Sequence, residues 1–197
     1  MTPARLQIDE PHAFLQWLAT VRHAGYASFD DVYVAQVFAI VAIAALARHD
    51  GRERLILHPA KESGAAQFAH AIGIEEVIEG GVGREPTERS RTVTLTRVVG
   101  GGSPDAIADK VVNLLLPTRP RSDAATLFWF VLNELLRNVG QHSQDSAGGI
   151  VAAQINDAGP YQGAPALQVV VADNGIGIFD ALRQMRSAVS TPAEALI

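Results

Sequence analysis

The chain contains no cysteine. A disulfide framework, a thiol nucleophile and thiolate metal sites are therefore excluded, and the redox compartment is left open. Basic residues are neither abundant nor clustered: 16 Lys and Arg stand against 21 Asp and Glu, for a formal net charge of -5. Without a basic stripe, long-range attraction to nucleic acid or to anionic lipid is not expected, whereas a local basic pocket for one phosphate needs no such stripe. No apolar run reaches the roughly 20 residues that span a bilayer. The most apolar stretch, residues 32–47 (VYVAQVFAIVAIAALA), is shorter, is interrupted by Gln36 and is followed by Arg48, His49 and Asp50. It reads as one buried core helix. The opening MTPARLQIDEPHAF has no basic start leading into an apolar segment and a small-residue cleavage site, so a cytoplasmic protein is expected. There is no GxxxxGK[ST] phosphate loop, no internal repeat and no low-complexity tract.

What is present suits a folded α/β (α+β) protein of one large or two small domains, since 48% of the 197 residues are hydrophobic. Glu10-Pro11 opens a helix with Asp9 as its cap and Phe14, Leu18 and Val21 at helical spacing. Residues 54–58 (RLILH) read as a short strand, 63–71 as a helix stopped by Gly73, and Val77-Ile78 as another strand edge. Glycines at 80, 81 and 83 precede residues 91–99 (RTVTLTRVV), which alternate like a strand exposed on one face. A domain junction is expected between Gly80 and Pro104, dividing the chain into residues 1–90 and 91–197. Helices over 105–116 and from Ser122 or Asp123 to His142 follow, then strands over 149–155 (GIVAAQI) and 167–172 (LQVVVA), and a helix starting near Phe179.

Two stretches carry chemistry. The long helix has an apolar stripe of Phe128, Val131, Leu132, Leu135, Leu136 and Val139, while Glu134, Asn138 and His142 recur every fourth residue along another face. By itself such a polar stripe describes a solvated surface equally well. The second stretch is the apolar strand that runs directly into Asp173-Asn174-Gly175-Ile176-Gly177-Ile178. A carboxylate at a strand end can accept from an amino group, and alternating glycines let the backbone approach a flat ring closely. An ordinary strand-to-helix turn would share this pattern.

Taken together, NELLRNVGQHS and VVVADNGIGI, separated by the strand GIVAAQI, resemble the N box and first glycine box of GHKL (Bergerat-fold) ATPases, a superfamily that includes gyrase, the heat-shock chaperone and histidine kinases. The resemblance implies a C-terminal ATP-binding domain that uses ATP with Mg²⁺. It implies that Asn138 holds the metal against the phosphates and that Glu134 orients or deprotonates the attacking water. Asp173 would receive the adenine amino group, with Gly175, Gly177 and Ile178 forming the base pocket and Arg137 and His142 near the phosphates. The preceding residues 1–90 resemble a STAS-like α/β domain, as in bacterial proteins that join the two. Asp30-Asp31-Val32-Tyr33 stands where STAS-like antagonists carry a phosphorylated serine, so that switch is not expected here.

Such ATPases continue with a lid and a second glycine box, which are not found before Ile197. Turnover by this chain is therefore expected to be weak. His12, His23, His49, His58 and His70 lie in no HExxP-type dimerisation helix and read as solvated or core residues. The expected activity is ATP hydrolysis or kinase-like phosphoryl transfer in signalling, acting on or through a protein partner. The alternative is a non-catalytic nucleotide sensor that regulates such a partner. Self-association is expected if a sheet edge is left uncovered.

Overall fold

The computed structural model describes residues 4–6, 11–24, 26–29, 32–48, 56–57, 63–79, 91–99, 104–115, 122–142, 148–156, 165–177, 180, 183 and 184. The elements in chain order are β1 (Ala4–Leu6), α1 (Pro11–Ala24), β2 (Tyr26–Ala27), β3 (Val32–Ala35), α2 (Val37–Arg48), β4 (Ile56–Leu57), α3 (Gly64–Ala71), α4 (Ile74–Ile78), β5 (Thr92–Val98), α5 (Pro104–Leu115), α6 (Asp123–His142), β6 (Gly149–Asn156) and β7 (Ala166–Ala172). Helices and strands are mixed, and the largest sheet is antiparallel, in the order β5-β6-β7. The short strands form parallel pairs, β1 with β3 and β2 with β4.

The antiparallel sheet is covered on both faces, and alternation along the strands decides which residue faces which layer. In β6, Ile150 and Ala152 join the core built around α2, whereas Val151 and Ala153 join the core built around α5 and α6. Their partners in β7 follow suit: Val170 and Ala172 face α2, and Leu167, Val169 and Val171 face the helices opposite. In β5, Val93 and Val98 would fall on opposite faces of a regular strand. The pairing shifts by one residue between Val93 and Thr96, and both valines reach the same core. That extra residue is a bulge, and it restores an apolar face that the intervening Leu95 leaves for the other side.

Buried residues from before and after the glycine-rich junction share one core, in which Leu95, Ile150 and Ala152 pack with Ile40, Ile43 and Ile72. The backbone joins them as well, Leu95 N–H donating to the Ile72 carbonyl at 3.0 Å.

Several expectations are corrected. The apolar stretch 32–47 is not one helix. Its β-branched start forms β3 beside β1, Gln36 N–H donates to the Leu6 carbonyl at 3.0 Å, and only then does the buried helix α2 begin. Val77-Ile78 is the end of α4, not a strand. Glu75 and Glu76 sit in its first turn, Val77 is buried, and Arg48 donates to the Val77 carbonyl at 2.6 Å, satisfying a group that a helix end leaves open. Strand β5 is not exposed on one face, because Val93, Thr94 and Leu95 are buried in succession between the two layers. Of the apolar stripe of α6, the core takes Leu132, Leu136 and Val139 with Phe128 packed against them, while Val131 and Leu135 are exposed. Asp9 and the expected helix start at Phe179 lie outside the described residues.

No helix among the described residues is long and apolar enough to cross a membrane.

Gly149 sets how closely α6 approaches the sheet. A Cβ there would meet Val139 Cγ1 and lie 2.9 Å from the Ala172 carbonyl oxygen, whereas at Gly64 it would enter open space. Gly149→Ala is expected to cost about 1–3 kcal/mol, as overpacking does, while Gly64→Ala stays neutral or gains about 0.4–1 kcal/mol. Equilibrium denaturation of the two variants checks the contrast.

Candidate functional site

Helix α6 begins at a capped end. The Ser122 hydroxyl accepts from Ala125 N–H at 3.2 Å, and Asp123 occupies the first turn, where a negative charge meets the positive end of the helix. Side chains four residues apart then bind α6 to α5. Trp129 Nε1 donates to Asp109 Oδ1 at 3.0 Å. Asn133 Nδ2 donates to Asp105 Oδ1, and an Arg137 guanidinium nitrogen lies 3.8 Å from the same oxygen. Asn133 is buried, so its amide would carry a desolvation cost without that carboxylate.

These contacts fix the rotation of the helix. With about 100° between successive residues, the flank turned away from α5 carries Val131, Leu135 and Asn138. Glu134 lies on the outer face. Glu134, Arg137 and Asn138 are all exposed. His142 is the last residue of the helix, and its side chain lies outside the described residues.

The second part of the site follows β7. Leu167, Val169 and Val171 face the α5/α6 layer, and Asp173 is the next residue of that parity. Its Cβ lies 3.5 Å from the position a Gly149 side chain would occupy, the same position that Val139 closes from the helix side. Val139 Cγ1 and Asp173 Cβ thus both border the space that a Gly149 side chain would fill, which sets the loop after β7 beside the turn of α6 that holds Val139. Asp173 is exposed, and its Oδ1 accepts from Gly175 N–H at 2.8 Å, an Asx turn that shapes the loop. The other carboxylate oxygen is not used in that turn. Gly177 has a φ of 73° and open space where a Cβ would stand. Only glycine adopts that backbone without strain. Ile178 lies outside the described residues.

Asn174, of opposite parity, faces the other layer. Its Nδ2 donates to the Ala45 carbonyl at 2.6 Å, near the end of α2, where helix carbonyls lack intrahelical donors. Gln168 also reaches that layer, its Nε2 donating to Gln36 Oε1 at 3.2 Å. Sequence reasoning picked out Asp173 and the polar face of α6 but missed Asn133, Asp105, Asn174 and Gly149. The signals were a second asparagine inside the helix, a polar residue between Asp173 and Gly175, and a glycine opening a strand.

No group of three or more histidines and acids that could hold a metal ion is found among the described residues. Comparison of the chain with protein-family models, with curated proteins and with solved structures gives no match.

Asp105→Ala leaves a buried amide unsatisfied and is expected to cost about 1–3 kcal/mol. Arg137→Ala removes only an exposed ion pair and is expected to cost at most about 1 kcal/mol. Urea denaturation separates the two.

Proposed function

We propose that the surface between the Asn138 turn of α6 and the loop after β7 binds a nucleotide, ATP with Mg²⁺, in a Bergerat-type module preceded by a STAS-like layer. The observation that carries this reading is the approach of Asp173 and of Val139, the residue after Asn138, to the same space over Gly149. An exposed carboxylate whose turn uses only one oxygen can accept from an exocyclic amino group. The open space over Gly177 suits the face of a flat ring. The exposed Asn138 supplies one amide oxygen, and Mg²⁺ commonly takes few protein ligands beside its phosphates and waters, so a site without clustered acids is compatible with it. When bound, the ion would neutralise phosphate charge. Glu134, one turn before Asn138, would orient a water toward the phosphates, and His142, Gly175 and Ile178 would complete the contacts, whereas Arg137 is turned toward Asp105 of α5.

A second reading is favoured by Asn174. Because the loop is tied to the end of α2, occupancy of the loop can bias the N-terminal layer with no chemistry at all, as in a nucleotide sensor acting on a protein partner.

Calorimetric titration with ATP and Mg²⁺ tests both readings. Asp173→Ala is expected to weaken binding about tenfold to a hundredfold, the value of a hydrogen bond to a charged group, and Asn138→Ala to remove the magnesium dependence. In an enzyme, Glu134→Ala keeps the affinity and loses phosphate release; in a sensor the parent chain releases none. Absence of binding heat at millimolar ATP would discard the nucleotide proposal.

A further inference from the structure

The end of α2 makes two contacts one helical turn apart. Ala45 begins the last turn of α2, whose carbonyls lack intrahelical donors, and its oxygen accepts from Asn174 Nδ2 at 2.6 Å. Arg48 closes the helix and sends its Nη1 to the Val77 carbonyl at 2.6 Å and to the Ile78 carbonyl at 3.4 Å. Those two carbonyls end α4, a helix of 5 residues, whereas an isolated helix is marginal below about 12–15. The order of α4 therefore depends on its contacts, which are the buried Ile74 and Val77 and the cap that Arg48 provides.

We infer that the last turn of α2 is a link through which a ligand held by Asp173 orders the end of α4. The backbone fixes the sign of this coupling. Asp173 and Asn174 are successive residues at a strand end, so one conformation turns the first toward the α6 layer and the second toward α2. The loop geometry that offers the Asp173 carboxylate to a ligand is thus the geometry that makes the Asn174–Ala45 bond. Ligand and bond favour the same state and strengthen one another.

Beyond Ala45 the link is local. Ala45 itself is buried, but Leu46, Ala47 and Arg48 are only partly so, and helix ends of that kind open before the core does. While Asn174 holds Ala45, the turn keeps Arg48 on the α4 carbonyls. When that bond is broken, the turn frays more readily and α4 loses its cap. That the ligand is a nucleotide rests on the proposed function, whereas the link itself stands without one.

Hydrogen–deuterium exchange of the full chain over residues 74–79 reads the order of α4, where Glu79 N–H donates to the Glu75 carbonyl at 2.9 Å. Without nucleotide, Asn174→Ala is expected to speed exchange there about threefold to tenfold, the value of one hydrogen bond. Asn174→Asp, similar in shape but without the donor, behaves alike. Residues 150–153 of β6 are unaffected, and Asp105→Ala, which weakens the opposite layer, does not single out α4. Arg48→Met speeds exchange over 74–79 by a similar factor, Asn174→Ala adds little in that background, and Arg48→Lys, which keeps a donor, restores most of the protection. ATP with Mg²⁺ slows exchange over 74–79 in the parent chain but not in Asn174→Ala. By reciprocity, Arg48→Met weakens ATP binding although Arg48 belongs to the other layer. Unchanged exchange over 74–79 in Asn174→Ala would overturn the link, whatever ATP does. Independent, multiplying effects of Asn174→Ala and Arg48→Met would overturn its route through α2. A link that persists in a chain that binds no ATP discards the nucleotide reading and, with it, control of α4 by ATP.

Discussion

Strand β6 is the member on which the other parts of the structure depend. It is paired on both edges, with β5 and β7, and its alternate residues supply two cores on opposite faces. Four of its first five residues, Ile150, Val151, Ala152 and Ala153, are almost wholly withdrawn from water and small enough to admit helices on either side. A one-residue slip of this strand would exchange the two sets and force the neighbouring strands to follow. The bulge in β5 shows the constraint at work: the extra residue returns Val93 and Val98 to one face, whereas a regular strand would split them.

The same alternation builds the candidate site. Because parity along β7 continues past its last ladder residue, Asp173 falls on the α6 side and Asn174 on the α2 side. Gly149 completes the arrangement by letting Val139 approach closely enough that α6 and the loop adjoin one another. The rotation of α6 has a separate origin in the polar contacts of Trp129, Asn133 and Arg137 with α5. Packing against a smooth apolar surface would permit several rotations. A buried amide with one available carboxylate permits far fewer, since the wrong rotation leaves it unsatisfied.

Much of this was legible in the sequence, for reasons that individual elements make plain. Helices α5 and α6 and strands β6 and β7 have long, regular patterns with clear stops, and Asp173-Asn174-Gly175 announces a turn. The split of residues 32–47 was not legible, because a run apolar on every side has the same appearance as strand or helix; β3 is decided by its pairing with β1. Strand β5 looked one-sided because nothing local announces that α2, some fifty residues earlier, shares a core with it. Periodicity puts Val131 and Leu135 in the apolar stripe of α6, and it gives the width of an apolar arc without saying which part of it meets the sheet. The Asn133–Asp105 and Asn174–Ala45 bonds join residues 28 and 129 positions apart, and such pairings leave no mark in local pattern.

The adjacency of Asp173 and Asn174 joins these strands of reasoning. Two successive residues at a strand end must point to opposite faces, so a loop whose first carboxylate faces one helical layer is bound to present its next side chain to the other. Asn174 uses that obligation to satisfy a carbonyl near the end of α2, a group that burial would otherwise leave costly. Any ligand that moved the loop by the length of a hydrogen bond would therefore have to break or carry that contact. The residues that follow β7 thus belong mechanically to both layers, and the N-terminal elements are part of the site's support even though they supply none of its proposed ligand contacts.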